Sequence, residues 1–137
     1  MATQPADALK KVPLLAGLSD RELRRLAGQL HERKFPAGST VVSEGATGTG
    51  FFVITEGEAE VEIGGQVLNK LGPGDYFGEM ALIDDEGTRS ATIKAVTALT
   101  CYGMTPWEFK PFVEEHPDVA WTMLQHMTRL LREAQSD

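Results

Sequence analysis

Two side chains of opposite charge, Glu79 and Arg89, lie ten residues apart in the stretch Gly74–Ala95, GDYFGEMALIDDEGTRSATIKA. Gly78-Glu79-Met80-Ala81-Leu82 reads as the first turn of a helix too short to be a structural one. Such a turn turns unpaired backbone N–H groups outward, the arrangement that holds anions. Gly78 has no Cβ and lets a ligand approach the backbone closely. Arg89 brings a permanent positive charge and a planar fork of donors matched to phosphate oxygens. Glu79 is an acceptor, suited to a sugar hydroxyl and repelled by phosphate. Donors for an anion beside one carboxylate describe a site for a sugar phosphate. Taken singly, each residue also has a plainer reading. Arg89 could pair with Asp84, Asp85 or Glu86, and Glu79 could be a helix-start carboxylate stabilised by the helix dipole.

The elements that must position these residues are mostly strands. From Phe35 to Met104 glycines recur every several residues between short β-rich runs. Residues 40–42, 51–55, 58–63, 67–71, 91–96 and 99–104 read as strands. In the run 58–63 strict alternation turns Ala59, Val61 and Ile63 inward and the glutamates outward. Short, evenly spaced strands with glycine turns point to a sandwich or jelly-roll barrel. Helices flank this block. Residues 1–6 read as loose, and Leu14, Leu15 and Leu18 form an apolar lead-in. Ser19-Asp20-Arg21-Glu22 is a capping box, with Leu18 and Leu23 as its hydrophobic staple, and it opens a helix over about 20–30. Thr105-Pro106 opens a second helix, expected to be short or kinked because Pro111 falls inside it. Pro117-Asp118 opens the last, to about Ala134, with Ala120, Met123, Leu124, Met127, Leu130, Leu131 and Ala134 as its apolar stripe.

The motif FGEMAL, a short acidic linker, then RSATI resembles the phosphate-binding cassette of the cyclic nucleotide-binding domain family. That family includes bacterial catabolite activator proteins and the regulatory subunits of cAMP-dependent protein kinase. The similarity runs from about Leu14 to about Leu131. It implies a mainly β fold, an eight-stranded jelly-roll β-barrel with N-terminal helices and two C-terminal helices. Residues 1–13 are then an N-terminal tail and 14–137 the nucleotide-binding domain. By resemblance Arg89 binds the cyclic phosphate bidentately and Glu79 accepts from the ribose 2′-OH. The amides near Met80 and Ala81 and the Ser90 hydroxyl meet the remaining phosphate oxygens, and Gly78 completes the pocket. Thr88 stands where the family often has proline. Thr92, two residues beyond Ser90 on the same strand, is a candidate for the base or an ordinary strand threonine. In DNA-binding relatives the last helix contacts adenine. The matching positions here are Ala134, which has no donor, and Gln135, at the helix end. Ser90, where threonine is the alternative, favours cAMP over cGMP by the same analogy.

Composition limits the alternatives. The 137 residues carry 13 basic and 20 acidic side chains, a net charge of −7. That balance argues against a nucleic-acid partner and leaves the capture of an anion to local donors. No apolar run is long enough for a membrane span, and the N-terminus lacks a signal-peptide pattern. The single Cys101 fits a reducing, cytoplasmic setting and a place in the core. His31, His116 and His126 show no metal-ligand spacing, and none falls in a strand read from the sequence. Trp107 and Trp121 read as packing residues, although Trp121, off the main stripe, could face a partner or cover the pocket. No nucleophile–base pair accompanies the cassette, so the expectation is binding without turnover and without a cofactor. The expected role is a stand-alone cAMP sensor, with cGMP as the alternative ligand. Its last two helices shift on binding, and it signals through an unknown protein partner or as a homodimer through the last helix. The competing role is a protein-interaction module that kept the fold and lost the nucleotide.

Overall fold

The fold was determined as a computed structural model, which describes residues 5–45, 50–83, 89 and 91–135. Among the described residues eight strands form two four-stranded antiparallel sheets. One has the order β1-β8-β3-β6, from His31–Phe35, Leu99–Met104, Phe51–Glu56 and Tyr76–Phe77. The other has the order β2-β7-β4-β5, from Thr40–Val42, Thr92–Ala95, Ala59–Ile63 and Gln66–Leu71. This is the jelly-roll connectivity expected from the sequence; the strands divide into two facing sheets and do not close into one ring.

Strand β3 is the hinge of the packing because both its faces are covered. Ile54 packs with Ala59, Phe77, Ile93, Leu99 and Cys101 between the sheets. Phe51 and Val53 point the other way, into a second core made with the helices. That second core gathers Leu14 and Leu15 of a short 3-10 turn, Pro13–Leu15, with Leu23 and Leu26 of α2, Asp20–Ala27. Phe109 and Phe112 of α4, Pro106–Glu115, and Val119 and Met123 of α5, Pro117–Gln135, complete it. Burying each such side chain contributes about 1.5–3 kcal/mol, enough to hold the fold with Cys101 buried and unpaired.

The helix starts follow the sequence closely. Ser19 Oγ accepts the Glu22 amide at 3.2 Å, and Glu22 Oε1 accepts the Ser19 amide at 3.0 Å. At α4 the Thr105 amide and hydroxyl donate to Glu108 Oε1 at 2.9 and 2.7 Å. Several expectations change. A helix, α1 (Pro5–Leu9), takes in residues 5 and 6 of the segment expected to be loose, whose residues 1–4 lie outside the described residues, and Leu9 and Val12 are buried in the helical core. The expected helix over 20–30 ends at Ala27, where Gly28 caps it. The second helix runs for ten residues with Pro111 inside it. Strand β1 was not foreseen, and it places His31 in a strand. Its HERKF sequence carries no apolar alternation because it lies exposed at a sheet edge.

On α5 the deep contacts are Val119 and Met123, whereas Leu124 and Leu131 of the expected stripe are 55% and 59% exposed. Trp107 and Trp121, expected to pack, are 76% and 63% exposed. The inward set of β4 holds in direction. Ala59 is buried, while Val61, packed against the inter-sheet core, and Ile63 line a cavity, at which Ile63 is left exposed.

Candidate functional site

The cavity lies between the second sheet and α5 and has a volume of about 350 Å³. Val61 and Ile63 of β4, Leu71 of β5 and Ile93 of β7 give it an apolar wall. The chain from Tyr76 to Met80 forms one end, with Glu79 opening the five-residue helix α3, Glu79–Ile83. Arg89 enters the same end, and His126 and Leu130 of α5 form the opposite side.

The two charged residues are the buried polar side chains of the described structure, Glu79 at 7% and Arg89 at 5% exposure. Arg89 Nη2 donates to the Gly50 carbonyl at 2.9 Å, and its own carbonyl accepts the Gly45 amide at 2.9 Å. Its Nε and Nη1 have no partner, and neither does Glu79 Oε2. Leaving such groups buried and unpaired costs on the order of 1–3 kcal/mol each, more for charges. Burial pushes the Glu79 carboxyl above its ordinary value, and the Arg89 charge only partly offsets it. Burial likewise pulls the Arg89 guanidinium down, with Glu79 acting the other way. Both groups are held in an environment that suits them poorly without a third party.

Gly78 makes this possible. Its φ is +99°, and a Cβ there would collide with the Gly50 carbonyl oxygen and stand 2.7 Å from Arg89 Nη1. Glycine therefore lets the cassette lie directly on the carbonyl that holds the arginine.

Gly78, Glu79, Met80 and Arg89 all line the cavity, and Ala81 follows in α3. Ser90 lies outside the described residues, as do Thr88 and the carboxylates 84–86 considered as partners of Arg89. Thr92 is not among the lining residues. Its Oγ1 accepts the Glu44 amide at 2.9 Å, and Glu44 Oε1 accepts the Gly64 amide at 3.0 Å, so it fastens β2 and the β4–β5 turn to β7. The α5 side of the cavity is made by His126 and Leu130, not by positions 134 and 135. The His126 ring meets Tyr76 edge-on at 5.6 Å, and the Tyr76 hydroxyl is buried without a partner. Helical spacing puts His126 on the face of Met123 and Leu130 but does not show that this face meets the cavity. Cys101 is fully buried, which pushes its thiol up to about 12. Among the described residues no three potential ligands cluster as a metal site.

The sequence profile of the cyclic nucleotide-binding domain matches residues 32–116. The chain belongs to the cyclic nucleotide-binding domain family. A cAMP-dependent protein kinase regulatory subunit of Eremothecium gossypii is 45% identical over 94 residues, covering 68% of this chain and 20% of the relative. The chain thus spans about a fifth of the length of the curated relatives it matches. The Catabolite Activator Protein of Thermus thermophilus superposes with a TM-score of 0.79 at 31% identity, over 90% of this chain and 60% of that one. A structure described as Sp-2Cl-cAMPS bound to PKAR CBD2 gives a TM-score of 0.80 at 27% identity, over 96% and 90%. The family is regulatory rather than catalytic. Among the described residues no helix is long and apolar enough to cross a membrane.

Proposed function

We propose that this domain binds a cyclic nucleotide, cAMP in preference to cGMP, and works as a sensor without turnover. The observation that carries the reading is Arg89: a buried guanidinium with two unpartnered N–H groups, in one cavity with a buried carboxylate that also lacks a partner. A cyclic phosphate supplies acceptors to Nε and Nη1, and the ribose 2′-OH donates to Glu79. The amides at Met80 and Ala81 and the Ser90 hydroxyl take the exocyclic oxygens, and the base lies against Val61, Ile63 and Leu130. The names of relatives that bind cAMP or its analogue support the choice of ligand.

Ligand in the cavity favours one placement of α4 and α5, because α5 walls the cavity with His126 and Leu130 and a ligand touching them binds that placement better. Output then passes to a protein partner or through self-association along α5, whose outer face shows Trp121, Leu124 and Leu131. A cytoplasmic location suits the buried free thiol of Cys101.

Isothermal titration with cAMP and then cGMP, at one fixed salt concentration, tests the reading. We expect one-to-one binding, tighter for cAMP. No heat and no thermal shift with either ligand would leave a fold kept for protein interaction alone.

A further inference from the structure

Both helix-capping glutamates make a second contact, each with a histidine. Glu22 closes the cap of α2 with Oε1, while its Oε2 lies 3.5 Å from His116 Nδ1. Glu108 closes the cap of α4 with Oε1, and the same oxygen lies 3.4 Å from His31 Nε2. His31 is the first residue of β1. His116 caps the C-terminus of α4, and Pro117 opens α5 immediately after it. Helix α4 is therefore held at both ends, its first turn to β1 and its last to α2. A groove floored by Leu26 and Phe112 runs between α2 and α4, with the His116 ring 5.2 Å from Phe112. The other charged side chains lining it are Arg25 of α2 and Glu115 of α4, one of each sign.

We propose that the two imidazole–carboxylate pairs form a pH-sensitive double clasp that sets how firmly α4, and with it the start of α5, is held to β1 and α2. Imidazole is the side chain whose charge ordinarily changes near neutral pH. Its partners here stay ionised well into acid. Glu22 is held below the usual carboxylate range first by the Ser19 amide, and Glu108 first by the Thr105 hydroxyl, with the histidines adding to each. A lowered carboxyl contributes stability above the ordinary carboxylate range and loses it as pH falls through the lowered value. A histidine–carboxylate contact is an ion pair only while the imidazole is protonated, so as a class such contacts are strongest in mild acid. Single exposed pairs count for little, but these two act on the same ten-residue helix.

The test compares the 137-residue chain with His31→Gln/His116→Gln, which keeps both capping glutamates. Thermal unfolding without ligand, at pH 5.8 and 8.0, reads the clasp directly. We expect the variant to melt about 3 °C below the parent at pH 5.8 and level with it at pH 8.0. A cAMP titration at the same two pH values reads its effect on the cavity, and this arm alone rests on the cyclic nucleotide reading. The parent should gain about threefold in affinity at pH 5.8 relative to the variant. Melting curves that shift in parallel with pH would overturn the clasp. Should the double variant fail to fold, His31→Gln alone makes the same comparison, at a side chain 55% exposed. Absence of cAMP heat in the parent at both pH values would overturn the nucleotide reading while the melting data still decide the clasp.

Discussion

Glu79 and Arg89 are each expensive to keep in the empty protein, and that cost makes separate predictions for fold and for binding. Burial raises the Glu79 carboxyl despite the Arg89 charge. An acid whose folded value is raised stabilises the fold at low pH and loses that contribution as pH rises through the raised value. Glu79→Gln, neutral at every pH, should therefore melt higher than the parent at pH 7.5 without ligand, and the gain should shrink toward pH 4. The same substitution should weaken cAMP by about 1.5–3 kcal/mol, the strength of a hydrogen bond to a charged group, while hardly affecting 2′-deoxy-cAMP. Equal losses on both nucleotides would mean that Glu79 holds the loop and not the ribose. Arg89→Ala should weaken both nucleotides alike, by about 2–5 kcal/mol, because a desolvated charge pair with the phosphate is lost. An unchanged dissociation constant in titration would remove the cassette from the site.

At the scale of the element, the short helix α3 depends on the glycine before it. Gly78→Ala places a Cβ against the Gly50 carbonyl oxygen and near Arg89 Nη1, at a φ that side chains rarely adopt. Such a residue costs on the order of 1–3 kcal/mol, and here relief means moving the arginine's own acceptor. We expect a lower melting temperature together with a cAMP loss approaching that of Arg89→Ala; full binding would show that the loop relaxes without disturbing the guanidinium. Elements with a local chemical signature were legible in the sequence. The capping box at Ser19 sits where the S-x-x-E spacing places it, α4 opens at Thr105-Pro106, and strand Leu99–Met104 has the boundaries its pattern predicts. Elements defined by their neighbours were not. Strand β1 is polar because it is an edge, β6 has only two residues, and α1 becomes a helix by packing Leu9 into a core assembled from distant segments. The four cavity-lining residues Gly78, Glu79, Met80 and Arg89 were readable because one contiguous motif carries them. His126 was not, since helical spacing shows which face a residue shares but not which surface that face meets.

For the molecule as a whole, the position of α5 decides whether binding can be communicated. Its first half is anchored, with Val119 and Met123 buried in the helical core. Its second half has no such anchor. Beyond Met123 its exposure rises, and His126 and Leu130 line the cavity, where His126 also meets Tyr76 edge-on. A helix fixed at one end and resting on a binding cavity at the other opens locally at lower free energy than the strands beneath it. In hydrogen exchange, saturating cAMP should slow the amides of β3 and β8, which gain the rise in global stability, and also those of residues 126–135 and of α3, whose local opening would break contacts with the ligand. Global stability should rise as well, because at a hundred times the dissociation constant mass action contributes about 2.7 kcal/mol. In a chain of this length that is a rise of several degrees in melting temperature, and Arg89→Ala should abolish both effects. Slowing of β3 and β8 with residues 126–135 and α3 unchanged would mean that local opening of α5 leaves the ligand bound and that α5 does not report occupancy. Slowing of residues 126–135 and α3 as well would identify the second half of α5 as the segment through which an occupied cavity is read by whatever meets Trp121, Leu124 and Leu131.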